Sequence, residues 1–351
     1  MRRQAILLTV FVAFSAWAGA EGTRRPPTGP APQANSVEDC SLIEKGVERL
    51  ACYDRFLQTE EAAEQTEPAP AENSAAPEDA AKKDSLISRL MAQQKALWSY
   101  SGSFLAYRPM YILPITWMDD PNQAPVSENF GATPLKEKLD NKEVKYQISF
   151  KLPLLTGVLD NRTTLWFGYT QVSLWQAYNR NESAPFRETN FEPELFLQYA
   201  TRWDIGPGQL DLLAIGLDHQ SNGRSDPFSR SWNRIMGQIL YSTDEWVAAI
   251  RPWYRIPPHG QDDNPDIQQY LGYAEYNLMW KAGDGNQLGI QLHNNLQTDH
   301  NRTSARLMWT FPLSESLDGY VEYFNGYGET LIDYNHRQQR IGIGVMIANW
   351  L

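Results

Sequence analysis

The feature that most constrains this chain is a two-residue alternation of apolar and polar side chains, which begins near Ala106 and runs almost to the last residue. Successive side chains on a strand point to opposite faces, so this period reads as β-structure. It divides into twelve segments, near 107–116, 145–153, 163–176, 192–203, 209–221, 232–242, 245–255, 269–281, 287–295, 303–312, 317–325 and 338–350. Turn signals separate several of them, including Asp160-Asn161, Gly206-Pro207-Gly208, Ser242-Thr243-Asp244 and Gly283-Asp284-Gly285. In 269–281, Tyr270, Ala274, Tyr276, Leu278 and Trp280 share one face, and Glu275, Asn277 and Lys281 the other. In the last segment Ile341, Ile343, Val345, Ile347 and Leu351 lie opposite Gly342 and Gly344. About ten tilted residues cross a bilayer, and an open sheet edge is not tolerated in lipid. The pattern therefore predicts an all-β fold, a twelve-stranded antiparallel transmembrane β-barrel with both termini on the periplasmic side. A soluble β-sandwich is the competing fold. The 12 Trp and 17 Tyr favour the barrel, because aromatic girdles mark its two interfaces.

The segment before the barrel has its own organisation. Residues 1–20, MRRQAILLTVFVAFSAWAGA, have the charged start, short apolar core and small-residue cleavage site of a signal peptide. No other stretch approaches about 18 consecutive apolar residues, so no transmembrane helix is expected. Residues 21–56 hold the two cysteines, Cys40 and Cys52. One straight helix would hold them about 18 Å apart, too far for a bridge, so a Cys40–Cys52 disulfide requires a helical hairpin turning near Gly46. Residues 57–97 start as an Ala/Glu/Pro-rich linker with eight acids against two lysines between Leu57 and Asp84. They end in SLISRLMAQQKALW, where Leu86, Ile87, Leu90 and Met91 have helical spacing. This predicts a short amphipathic helix, either seated at the barrel mouth or serving as an ordinary lead-in. The net charge of −11 includes no basic patch that would suggest nucleic acid.

The chemistry is concentrated in LDHQSNGRSDPFSRSWNR at 217–234. In the strand 209–221, His219 and Ser221 fall on the same face as Leu213, Ile215 and Leu217. That face should look at lipid, where polar side chains are costly and mark function. Asn233, on the following strand, shares the outward face with Ile235 and Ile239. Facing side chains of paired strands stand about 5 Å apart. The three can therefore act as nucleophile, base and orienting group. Counting from a periplasmic N-terminus puts this site towards the outer leaflet. The loop 222–232, rich in hydroxyls and carbonyls and carrying Asp226, suits a hard cation such as Ca2+, or is simply a polar turn.

HQSNGRSDPFSRSWNR resembles the active-site stretch of the outer membrane phospholipase A family, and SAPFRETNFEPELFL, DDNPDIQQYLGY and GYGETLIDYN match it at 183–197, 262–273 and 326–335. The resemblance runs from about Trp98 to Leu351 and leaves residues 21–97 as an extension. It implies a barrel that hydrolyses phospholipids with Ca2+ and is active as a homodimer. By motif, Ser221 is the nucleophile, His219 the base and Asn233 the orienter, and Gly223 offers an N–H to the oxyanion. The implied calcium ligands are the Arg224 carbonyl, Ser229 and Asp263, with Ser183 supplied by the partner subunit. Gln171 and Ser183 are implied at the dimer interface. The chain departs from the pattern in ending Trp350-Leu351, where such barrels often end in Phe.

Two other readings compete. One is a passive outer-membrane pore, which would not need a polar trio facing lipid and whose lumen Met279 and Lys281 would crowd. The other is a non-enzymatic binding protein worked by the N-terminal hairpin.

Overall fold

The computed structural model describes residues 85–91, 94, 104–180, 185–314 and 317–348. The expected signal peptide, the hairpin with Cys40 and Cys52, most of the linker, Ser183 and Leu351 lie outside the described residues.

Fifteen strands are described; three are only two residues long. The other twelve are β1 Met110–Met118, β2 Lys142–Thr156, β3 Thr163–Trp175, β4 Phe186–Ile205, β5 Gly208–Ser221, β6 Ser231–Ser242, β7 Trp246–Ile256, β8 Ala274–Gly283, β9 Asn286–Asn294, β10 Thr303–Ser314, β11 Leu317–Gly326 and β12 Gln338–Ala348. Each pairs antiparallel with the next, and β12 returns to β1 from Arg340↔Met118 to Ala348↔Met110, closing the ring. The short strand Leu105–Ala106 adds to β2. Closure gives every wall strand two neighbours, which removes the unpaired edge that lipid forbids. The soluble sandwich is thereby excluded.

The alternation places the faces as expected. Ile215, Leu217, Ile235, Ile239, Leu278, Leu307, Ile341 and Ile343 are 40–61 % exposed on the outer wall. The side chains that alternate with them turn inward. Tight turns at 206–207 and 243–245 mark one end of the barrel, and longer connections such as 119–141, 222–230 and 327–337 the other. In outer-membrane barrels these are the periplasmic and extracellular ends.

One segment differs from expectation. Residues 269–271 do not extend β8; Gln268–Leu271 is a helical turn and the strand starts at Ala274. Ile267 and Leu271 stand four residues apart, on one side of that turn, and are buried with Leu331, Tyr334 and Trp232 over the long-loop end of the lumen. Tyr270 therefore leaves the lipid face and packs edge-on against Tyr334, with ring centroids 5.6 Å apart. Lys281, expected to crowd the lumen, is exposed near the short-turn end.

The predicted helix forms over 86–91 and sits inside the short-turn end of the barrel. Leu86 and Ile87 are buried against Leu212, Leu240, Val247, Ala249 and Met279 of the inner wall. Ser88 Oγ donates to Gln209 Oε1 at 2.5 Å, Ser85 Oγ donates to Asp211, and Ser242 Oγ holds the same carboxylate at 2.7 Å. The middle of the lumen is filled by ion pairs. Lys145 Nζ bridges Glu322 at 2.5 Å and Glu329 at 3.2 Å, and Arg340 joins Glu143 and Glu329, each at 2.8 Å. This is a packed interior, not an aqueous channel, and it removes the basis of the passive-pore reading.

Candidate active site

β5 and β6 meet in a register that pairs His219 with Asn233 and Ser221 with Ser231. The His219 Nδ1–Asn233 Oδ1 distance is 2.8 Å. Because an amide oxygen only accepts, Nδ1 carries the proton and Nε2 keeps its lone pair. Ser221 lies two residues further along, roughly 6.6 Å on by strand geometry, within reach of that imidazole. His219 and Ser221 are half-buried and Asn233 is exposed. Their neighbours on the same face are Leu217, 54 % exposed, and Ile235, 42 % exposed. The polar group therefore opens onto the apolar belt, as the sequence predicts.

The loop after Ser221 is pinned by its own side chains. Asn222 Nδ2 donates to the Phe228 carbonyl at 2.9 Å, and Asn222 Oδ1 accepts from the Arg230 N–H at 3.0 Å. Gly223 sits at φ +64°, a left-handed conformation that side chains other than glycine's rarely adopt. A Cβ there would also meet the Phe191 ring at 3.2 Å. Glycine is thus required where the chain turns away from Ser221.

Of the predicted calcium ligands, Ser229 and Asp263 are brought together, Ser229 Oγ donating to Asp263 Oδ2 at 2.6 Å. The Arg224 peptide is fixed through its side chain, which ion-pairs with Glu188 at 3.3 Å and donates to the Arg187 carbonyl. Among the described residues Asp263 has no arginine or lysine within ion-pair distance, and the Ser127 hydroxyl holds its carbonyl at 3.2 Å. An unpaired carboxylate beside a hydroxyl and a fixed peptide is an oxygen set that fits a hard cation.

A second acidic group lies on the inner face of β5. One carboxylate oxygen each of Glu192, Glu194 and Asp218 lie within 4.8 Å of one another. Arg108, Arg234 and Arg251 balance them. Arg108 contacts Glu192 at 2.8 Å, Arg234 contacts Asp218 at 2.9 Å, and Arg251 joins Glu194. Three guanidinium charges against three carboxylates leave no deficit for a metal, so this cluster is an ion-pair core behind the site. The reading of the sequence missed it. The alternation Asn190, Glu192, Glu194 on one face of β4 was its only local sign.

The reading also missed Phe191, which links two predicted features. It is the register partner of Gln171 on one side and of Ser221 on the other. Gln171 lies on the outer wall, accepting from the Tyr169 hydroxyl at 3.0 Å and donating to Ser173 Oγ at 3.1 Å.

A closed barrel whose apolar outer belt carries an imidazole held by an amide, with a serine two residues further on the same face, defines a bacterial outer-membrane β-barrel of the hydrolase class. Comparison with known proteins agrees. The chain belongs to the phospholipase A1 family, whose model matches residues 87–347. A phospholipase A1 of Klebsiella pneumoniae is 37% identical over 270 residues, covering 76% of this chain and 88% of its own. The solved outer membrane phospholipase A of Escherichia coli superposes with TM-score 0.65 at 36% identity, covering 71% of this chain and 100% of its own. The Salmonella typhi outer membrane phospholipase, solved as a dimer with bound calcium, gives TM-score 0.66 at 36% identity over 73% and 96% of the two chains.

Proposed function

We propose that this chain is a calcium-dependent outer-membrane phospholipase that cleaves acyl ester bonds of phospholipids and lysophospholipids, at both the A1 and A2 positions. The observation that carries this reading is the 2.8 Å His219–Asn233 contact on the lipid-facing wall, with Ser221 on the same face. A hydrolase of lipid needs its nucleophile where the ester lies, and the outer wall is that place.

Ser221 Oγ attacks the ester carbonyl while His219 Nε2 takes its proton. Asn233 holds Nδ1–H and so fixes the tautomer in which Nε2 is basic. A neutral amide gives the imidazolium less stabilisation than a carboxylate would. The Gly223 N–H faces the developing oxyanion. The alcohol leaves with the proton from His219, and His219 then draws a proton from water to free the acyl group from Ser221. When calcium is bound, the Arg224 carbonyl, Ser229 and Asp263, with Ser183 of the partner subunit, would hold it, and it would supply positive charge to stabilise the oxyanion.

Homodimerisation through the wall around Gln171 supports this chemistry, since one ligand is expected from the partner. An isolated protomer then has an incomplete site and spares its own membrane. Long-chain alkyl sulfonyl fluoride tests the nucleophile directly. Expected is a single sulfonyl ester on the peptide bearing Ser221, with loss of fluoride, formed with calcium and absent with chelator. A modified peptide elsewhere, or none from folded protein with calcium, would contradict the assignment.

A further inference from the structure

Almost every cation inside this barrel has a carboxylate beside it. Lys145, Arg108, Arg234, Arg251, Arg306 and Arg340 each lie within 4.0 Å of at least one. Among the described residues, Lys151 on the inward wall has no carboxylate within that distance. It lies on the inward face of β2, in step with Lys145, Gln147 and Ser149, and its side chain makes no ion pair or hydrogen bond among the described residues. Its ammonium rests 4.6 Å from the centre of the Trp166 ring and 5.8 Å from that of Tyr107. A lone ammonium in a barrel interior is costly unless a counter-charge reaches it.

Lys151 faces a cavity of about 490 Å³ at the short-turn end of the lumen, far along the wall from Ser221. Its lining joins Arg202, and Arg162 paired with Asp160 at 3.1 Å, to the apolar surfaces of Met91, Pro153 and Trp166, and among the described residues it includes no carboxylate. Two independent observations point to an absent acceptor. Trp166 is 9 % exposed, and its indole N–H is buried without a hydrogen-bond partner. Gln198, 8 % exposed and also in the lining, makes no side-chain hydrogen bond among the described residues. Buried donors are rarely left unpaired. The volume is that of a small-molecule site, with a few polar groups set in apolar walls.

We infer that this cavity binds an aliphatic anion, a carboxylate or phosphate head on a short acyl or alkyl segment. Lys151, Gln198 and the Trp166 indole N–H take the head, Arg202 raises the positive potential at the mouth, and Met91, Pro153 and the face of the Trp166 ring hold the tail. Met91 and Gln94 come from the segment of helix that enters the lumen, so the ligand packs against that helix. The chemistry is that of a single-chain lipid anion reaching the barrel from its periplasmic end. It is independent of the assignment of Ser221.

The test uses the full chain refolded into nanodiscs, with empty nanodiscs subtracted, and calorimetric titration of octanoate, octyl phosphate, octanol and inorganic phosphate. Expected is one site per chain for octanoate or octyl phosphate, retained in Lys151→Arg and weakened at least tenfold in Lys151→Met. Octanol and inorganic phosphate should each bind at least tenfold more weakly than the matching anion. Trp166→Leu provides a second variant and should weaken the alkyl anions several-fold. Any product binding at the outer wall is common to wild type and Lys151→Met, so their difference reads the cavity alone. Equal affinity of wild type and Lys151→Met would overturn the inference. So would phosphate binding as tightly as octyl phosphate, or the absence of any site in folded wild type.

Discussion

Gln171 and Ser221 lie in one cross-strand row of the outer wall, separated only by Phe191. Two strand spacings put their backbones about 10 Å apart. A surface that pairs protomers around Gln171 would therefore reach the edge of the hydrolytic site. The proposed dimer and the proposed chemistry are in this sense neighbours on one wall.

That adjacency makes dimerisation and activity separable by a single side chain. Gln171→Leu removes a polar group from a lipid-facing surface without touching Ser221, His219 or Asn233. Polar contacts between membrane segments contribute about 0.6–2 kcal/mol. We expect dimers measured in the presence of calcium to weaken roughly 3- to 30-fold in fluorescence energy transfer between labelled protomers. Activity should fall in proportion at low protein density and recover at high density; a loss that density does not restore would mean that Gln171 acts otherwise.

Asn233→Ala removes the acceptor that fixes the His219 tautomer. A carboxylate orienter is worth about 10⁴ in kcat. A neutral amide stabilises the imidazolium less, so we expect a loss of about 10²- to 10³-fold in kcat with little change in KM. Asn233→Asp keeps an acceptor at Nδ1 and should retain far more activity. Equal kcat for Asn233→Ala and wild type would remove Asn233 from the mechanism.

Asp263→Asn keeps the shape of the oxygen cluster but removes its charge. The calcium concentration giving half-maximal hydrolysis should rise at least tenfold, while the thermal unfolding midpoint in chelator stays near that of wild type. Glu192→Gln, in the arginine-balanced interior cluster, should leave the calcium requirement unchanged. The reverse pattern would move the metal to the inner cluster.

Lys145→Met tests the packed lumen. Lys145 is fully buried between Glu322 and Glu329. Removing one partner of a buried ion pair typically costs 3–5 kcal/mol. Urea unfolding in detergent should shift to a markedly lower midpoint with the slope unchanged. A shift of under about 1 kcal/mol would mean that water or rearrangement already screens those carboxylates.

The wall strands were legible because a period of two survives in each of them, and the His219/Ser221/Asn233 set because polar side chains stood out on an apolar face. The turn at Gln268–Leu271 was not, since Tyr270 and Ala274 fit a strand face as well as a helical turn. The ion-paired core was hidden for a different reason. Lys145 and Glu322 are 177 residues apart, and only closure of the ring makes them neighbours. Phe191 escaped notice because an outward aromatic on a barrel looks like any other lipid contact until register sets it between Gln171 and Ser221. The amphipathic spacing of Leu86, Ile87, Leu90 and Met91 announced a helix but not that its apolar side would face the lumen.

The most direct test of the central claim is fatty-acid release from phospholipid mixed micelles by the refolded chain, with calcium or with chelator, for wild type and Ser221→Ala. The account predicts release that requires calcium and is abolished in Ser221→Ala, while both proteins show the same folded mobility on unheated gels. Release by Ser221→Ala at the wild-type rate, or no release from folded, dimeric wild type with calcium, would contradict it.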